Sequence, residues 1–519
     1  MNDTLNTIEG KWKPKNPWLL IIPTMFAAFM FALDQTIANI ALPHMAGTFS
    51  VSFQESIWVL TSYLIASCLT IPMLDWLSKL FGRKQLFMYC VGLFTIASFC
   101  CGISTSIIMM VVSRFIQGLG GGILIPVAQA IIMESFEGKE LNTAIAIFGG
   151  VVIIAPIIGP VLGGWLTENY SWNWIFFINI PVGIAVILMS VKMLEDPPYA
   201  KKQKNVHTDY IGIFFLVLFA VAFEIMMDKG NDLDWFSSPF IRKLTVIWVT
   251  SLIILIISQI KQKESLVKLN VLKDWNYLTG TTVITVLAAV MLASMAMLPQ
   301  FMQNMMGYSA LTSGLTMMPR GIGSLLGLTL GTRLVSIFDP RLVSCCGILI
   351  LSIASWILGF INLEISQSVV VIPNLLYGFG MATAMMPIVT LSCKSLPADQ
   401  MANASGLQNF IKTIGGAIGT SLVATFISRF SQIHQNMLTH NLTETNPVFI
   451  TRLQSYSSVF ERSVDSVTAQ EMAGDLINKQ LIQQAHLWAF IDSFRIYAIA
   501  GVIVLMLVLM MKNKKELFR

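Results

Sequence analysis

Apolar runs of about 20 residues, each long enough to cross the hydrocarbon core of a bilayer, recur from one end of this 519-residue chain to the other. Inside lipid a backbone must satisfy its own hydrogen bonds, and runs of that length do so as α-helices. The chain is 55% hydrophobic and only 12% charged, against roughly 25% charged in a soluble protein. That shortage excludes a soluble enzyme, a disordered chain and a nucleic-acid reader. What remains is an all-α polytopic membrane protein.

The runs number fourteen. The first seven span about 18–40, 54–76, 85–104, 106–128, 141–162, 173–194 and 208–227; the second seven span about 242–260, 277–300, 312–334, 342–361, 367–391, 403–428 and 489–511. The first run is too long for a signal-peptide core and lacks a small-residue cleavage site, so it stays as a membrane helix. With the N-terminus placed inside, inner segments carry 22 of the 33 Lys and Arg, outer segments seven, and helices four. Basic residues favour the cytoplasmic side, so both ends are expected there. Trp58, Trp76, Trp165, Trp172, Trp174, Trp235 and Trp275 fall near run ends, as interfacial rings do.

Two halves show through. The fifth run carries Gly159-Pro160 and Gly163; the thirteenth carries Gly415 and Gly419. Each holds a small-xxx-small step that permits close helix approach, at the fifth place of a six-helix half once a central pair is set aside. The expected domains are a cytoplasmic N-terminus (1–17), a first bundle (18–194), an inner loop (195–207), a central two-helix insertion (208–260), a second inner loop (261–276), a second bundle (277–511) and a cytoplasmic C-terminus (512–519). A long polar outer loop, 429–488, interrupts the second bundle. It is rich in Gln and regains helical spacing from Val467 onward, which suits a docking surface or a solvated loop equally.

Charges inside hydrocarbon are costly and mark function by default. Asp34 reads as the one deep carboxylate, whereas Asp75 and Glu224 are expected near helix ends, within reach of water. Arg114 is its expected partner, since the two depths differ by only about 3 Å along their helices. Burial raises a carboxylate's affinity for a proton and a nearby cation lowers it, which suits a group that takes up and releases protons. The other reading is a static ion pair joining two helices. Arg320 and Lys412 lie within the tenth and thirteenth runs. Shaping a cavity's field, binding substrate and contacting backbone carbonyls are all open to them. Met30, Phe31, Gln35, Asn39, Trp58, Tyr63 and Gln117 are candidate cavity walls by their closeness to Asp34, and the 30 Met and 32 Phe suit an adaptable surface. Arg114 stands one turn before Gly118, Gly120, Gly121 and Gly122. No Gly-Lys-Ser/Thr follows that run, so it is no phosphate cradle, and no cofactor or ATP is expected. The seven cysteines form no C-x-x-C pair, so neither metal nor a disulfide framework is expected.

The run from Leu33 to Pro43, the Arg114–Gly122 segment and Gly159-Pro160-Val161-Leu162-Gly163-Gly164 together resemble the major facilitator superfamily. Specifically they resemble its fourteen-helix drug:proton antiporter branch and the EmrB/QacA group. Trp172-Asn173-Trp174-Ile175-Phe176-Phe177-Ile178-Asn179-Ile180-Pro181 and Asp228-Lys229-Gly230 with Asp234-Trp235-Phe236-Ser237-Ser238 point the same way. The resemblance implies two six-helix bundles plus a central pair, and the glycine-proline motif implies an exporter. It implies that Asp34 and Arg114 couple export to the proton gradient. It also implies a bacterial inner-membrane location, with a periplasmic adaptor of the HlyD/EmrA type and an outer-membrane channel as partners. Drug-like amphiphiles are the implied cargo and no nucleic acid is involved. Asp75, Lys79, Gly82, Arg83 and Lys84 occupy the gating loop after the second run. Lys79 stands where the family has an aspartate, so the charge relay of that loop lacks its acid unless Asp75, one turn earlier, supplies it. Lys412 replaces a common arginine, keeping the charge and losing the bidentate fork.

The expectation is proton-driven efflux by alternating access. An exporter of one endogenous metabolite fits the same features. A fourteen-helix peptide symporter would carry Glu-x-x-Glu-Arg in its first helix, and this chain does not. An embedded enzyme would cluster its histidines at one depth, whereas His44, His207, His434, His440 and His486 all lie outside the runs or at their margins.

Overall fold

The computed structural model describes residues 16–136, 138–195, 208–230, 233–262, 269–362, 366–393, 401–440, 442–443 and 445–511. The expected cytoplasmic tails, most of the first inner loop and part of the second lie outside the described residues. So do many of the basic residues that orient the chain, among them Lys201, Lys263 and Lys512.

The first half holds α1 (Pro17–Phe49), α2 (Phe53–Ser56), α3 (Trp58–Thr70), α4 (Leu74–Phe81), α5 (Arg83–Gly102), α6 (Ile107–Gly121), α7 (Leu124–Ser135), α8 (Gly138–Asn169), α9 (Trp174–Phe177) and α10 (Asn179–Met193). A pair follows, α11 (Tyr210–Lys229) and α12 (Pro239–Lys261). The second half holds α13 (Trp275–Gln300), α14 (Ala310–Ile337), α15 (Pro340–Leu358), α16 (Gln367–Cys393), α17 (Met401–Thr439), α18 (Pro447–Phe460) and α19 (Ser466–Leu509). All fourteen expected runs are helical. Among the described residues, twelve helical stretches are long and apolar enough to cross a membrane, so the protein is multi-pass. The other two runs correspond to α3, an apolar helix of 13 residues, and α14, of 28.

The repeat is visible as matched packing. A Cβ added to Gly159 or Gly163 would strike Thr36 or Ile37 of α1, and one added to Gly415 or Gly419 would strike Thr285 or Ala289 of α13. Glycines therefore seat α8 on α1 and α17 on α13 in the same way. Helix α8 also crosses into the other half. Gly164 lies against the Ala310 carbonyl of α14, Gly314 against that of Pro160, and the Glu168 carboxylate accepts a hydrogen bond from the Leu311 amide at 3.0 Å. At the opposite end of α8, a Cβ added to Gly149 or Gly150 would meet nothing within 4 Å among the described residues. The halves thus meet along α8 from Gly164 back to Ile157, which lies against Gly321 of α14.

The pair α11–α12 packs against α3 of one half and α17 of the other. This placement corrects the reading of Glu224. It lies inside α11 at 2% exposure, because the neighbouring helices cover what the hydropathy pattern alone leaves near a helix end. Among the pocket residues beside it are Cys68, Phe219, Phe223 and Ile414.

The expected loop 429–488 is mostly helix. α17 runs 39 residues and α19 runs 44, about 58 and 66 Å at 1.5 Å per residue, against a hydrocarbon core of about 30 Å. Both continue well past the expected membrane edge. Ala469, Ala473, Ile477, Leu481 and Ala485 of α19 are buried at a spacing of four, one continuous helical face. Helix α18 packs along α19, with Tyr456 and Gln480 hydrogen-bonded across the contact. Alanine, isoleucine and leucine on that face let otherwise polar rods pair, a pattern that average hydropathy reads as a loop.

Candidate functional site

The densest buried polar cluster in the first half is built on α1, α6 and α10. Asp34 and Arg114 are both fully buried, and Arg114 Nη1 donates to Asp34 Oδ2 at 2.5 Å. The expected pairing is therefore observed, although α1 continues nine residues beyond the expected end at Ile40. Gln117 Nε2 and Asn179 Nδ2 each donate to Asp34 Oδ1 at 3.0 Å. All three contacts use the carboxylate as acceptor, the only role an ionised one has.

Arg114 is fixed on its other edges as well. Its Nη1 also donates to Gln117 Oε1 at 2.8 Å and its Nε to the Val59 carbonyl at 3.0 Å. The guanidinium carbon stands 4.2 Å from the centroid of the Tyr63 ring and 5.5 Å from that of Phe176, within range of a cation–π interaction. Asn179 extends the network by donating to Ser98 Oγ, whose hydroxyl donates to the Phe176 carbonyl. The glycine run after Arg114 makes this density possible. Added Cβ atoms at Gly118 and Gly122 would strike the carbonyls of Tyr63 and Ser67 on α3, and one at Gly120 that of Cys90 on α5. The run brings in neighbouring backbones.

The other candidates divide. Phe31 lies 5.9 Å ring to ring from Tyr63, and Met30 is buried in the same apolar cluster. Asn39 donates to the Gln35 carbonyl within its own helix, so neither reaches Asp34 with a hydrogen bond. Trp58 is half-buried at the start of α3 and adds no hydrogen bond among the described residues. Asn179 and Ser98 were missed by the reading of the sequence. A neutral polar side chain in an apolar run carries no charge signal, and only its place three residues beyond Phe176 within the quoted motif hinted at it.

In the gating loop, Gly82 adopts φ 83° between α4 and α5, a backbone that glycine takes without steric cost. Lys84 Nζ donates to the Val191 carbonyl at 2.8 Å, tying the loop to the end of α10. Lys79 lies in the last turn of α4, where a cation favours the helix dipole; Arg83 opens α5. Asp75 is in the first turn of α4, and its side chain lies outside the described residues.

The second half holds two more cations, and neither touches the Asp34 cluster. Arg320 is 7% exposed on α14. Its Nε donates to Asn374 Oδ1 at 3.2 Å and its Nη2 to Ser294 Oγ at 3.1 Å, and its Cζ stands 4.2 Å from the Tyr377 ring centroid. Lys412 is half-buried on α17 and makes no ion pair or hydrogen bond among the described residues. No cluster of His, Cys, Asp and Glu suited to a metal occurs among the described residues.

Residues 24–420 match the sequence model of the Major Facilitator Superfamily. The chain is 34% identical over 492 residues to the probable multidrug resistance protein EmrY of Escherichia coli K12, covering 95% of this chain and 94% of that one. It is 34% identical over 439 residues to the multidrug export protein EmrB of the same strain, covering 84% and 85%. Among solved structures, its fold is similar to that of a bacterial homologue of the human lysosomal transporter Spinster in an inward-facing, occupied conformation. The TM-score is 0.63 at 16% identity, covering 94% of this chain and 95% of that one.

Proposed function

The chain belongs to the Major Facilitator Superfamily, in its EmrB-like group, and on that footing we propose that it is a proton-driven exporter of hydrophobic and amphiphilic toxic compounds. The relatives named for multidrug resistance and multidrug export support the class of cargo. The observation that carries the coupling is the fully buried Asp34, held by one guanidinium and two amide donors.

The mechanism follows from what surrounds that carboxylate. Protonation places an O–H among three groups that are themselves donors and removes the charge opposing Arg114, so the joint between α1, α6 and α10 loosens. Thr36 and Ile37, two and three residues further along α1, are the contacts of Gly159 and Gly163 on α8. Gly164 on the next position of α8 bears on α14 of the other half. A change at Asp34 therefore reaches the seam between the halves through two packed helices, and the halves rock about that seam. Cargo enters from the inner side while the outer seam is closed. A proton taken up from outside opens it, cargo leaves, and loss of the proton inward resets the cycle.

In this reading the chain crosses a bacterial inner membrane fourteen times, with both termini in the cytoplasm and the rods of α17 and α19 on the outer face. There the rods offer a periplasmic adaptor of the HlyD/EmrA type a surface that a short loop would not, with an outer-membrane channel beyond. The proton gradient is the energy source. The deciding measurement is ethidium movement into proteoliposomes under an imposed pH gradient. The wild-type protein accumulates dye until a protonophore is added, and Asp34→Asn loses the gradient-driven component. Full accumulation by Asp34→Asn would overturn the coupling scheme.

A further inference from the structure

We propose that Arg320 is the recognition group for the acidic head of an amphiphilic cargo, and specifically for an organic carboxylate. The inference rests on the export reading above and narrows its substrate class.

Arg320 lies ten residues into α14 from Ala310, about 15 Å along the helix axis and so near the middle of a core about 30 Å thick. Transporters hold their cargo at that depth. Guanidinium stays charged at any physiological pH, yet every contact of this one is neutral: Asn374, Ser294 and the face of Tyr377. No Asp or Glu lies within ion-pair reach of it among the described residues. A full positive charge is thus held at mid-membrane depth with no anion beside it among the described residues.

The neutral partners fix the fork and leave part of its donor capacity unused. Nε and Nη2 spend one N–H each, and Nη1 is buried with no hydrogen-bond partner. Nη1 and the second N–H of Nη2 are the pair of donors that a carboxylate takes in a bidentate contact. Asn374 is braced in turn, donating from Nδ2 to the Thr316 carbonyl, and Tyr377 donates to the Val290 carbonyl. The arginine is therefore positioned from behind by groups with their own anchors. Met297, Phe301, Met317 and Met381 belong to the same buried cluster as Tyr377, a polarizable wall of the sort that accommodates alkyl tails. A carboxylate head with an apolar tail supplies both the missing anion and the matching surface.

Two probes with the same tail and opposite heads test this. The purified full chain in nanodiscs is loaded with ethidium, and displacement is titrated with dodecanoate and with dodecyltrimethylammonium. The wild-type protein is expected to favour dodecanoate. Arg320→Gln is expected to lower the ratio of the two apparent affinities by about tenfold or more, the loss of a charge-assisted contact. Arg320→Lys keeps the charge without the fork and falls between; it is also the variant to rely on if the glutamine protein does not fold. A merely structural arginine would weaken both probes alike and leave the ratio unmoved, which overturns the proposal. So does a wild-type protein that binds ethidium and ignores dodecanoate. A protein that neither binds nor pumps ethidium contradicts the export reading itself.

Discussion

The two halves bury an arginine against a tyrosine ring at the same distance, 4.2 Å from Cζ to the ring centroid, and then treat its charge differently. Arg114 in the first half faces Asp34, with Gln117 and Asn179 completing the shell of the acid. Arg320 in the second half faces only neutral groups. Each guanidinium keeps one nitrogen without a partner, Nη2 in the first and Nη1 in the second. The posture is shared, so the ring contact alone does not define the role. The missing carboxylate marks the difference: one half pairs its cation with an acid of its own, and the other leaves its cation among neutral groups.

The strongest way to break this comparison is Asp34→Asn, which is expected to reduce gradient-driven ethidium accumulation to the level of empty vesicles. Next comes stability. Arg114→Leu strands Asp34 in the interior and is expected to cost about 3–5 kcal/mol, whereas Arg320→Leu strands no charge and is expected to be near neutral or stabilising. Thermal unfolding of the purified proteins separates the two, and equal losses would mean that the arginines do the same job. At the seam, Gly164→Val forces a side chain against the Ala310 carbonyl and is expected to destabilise the closed outer contact by about 1–3 kcal/mol. A several-fold fall in efflux is the readout, with Gly149→Ala, placed in open space, retaining the wild-type rate. The smallest effect lies outside the bilayer. Gly474→Ala on α19, with nothing within 4 Å, is expected to stabilise that helix by up to about 1 kcal/mol, measurable as a higher Tm.

Much of the fold was legible because a bilayer reduces the problem to finding apolar runs, and each of the fourteen proved helical. Asp34 and Arg114 were legible for a related reason: a charge in such a run is conspicuous, and helical rise gives its depth. Asn179 and Ser98 were not, since an uncharged polar residue stands out little in an apolar stretch and its importance arises only from where α10 and α5 bring it. Glu224 was misplaced because burial depends on α3 and α17, which lie far away in sequence. The rods beyond residue 429 were hidden by their composition. Their pairing rests on alanine, isoleucine and leucine at every fourth place, a periodic signal that averaging over a membrane-length window erases.

Those rods have a mechanical meaning. If the bundles rock as proposed, helices of this length would act as levers, and a slight tilt at one end would become a wide swing at the tip carrying α18. Anything resting on that tip would be pushed once per turnover and could keep time with the carrier without touching its cargo. Distances between spin labels on α18 and on the outer end of α5, taken with and without a proton gradient, would reveal such a stroke or show the tip to be still.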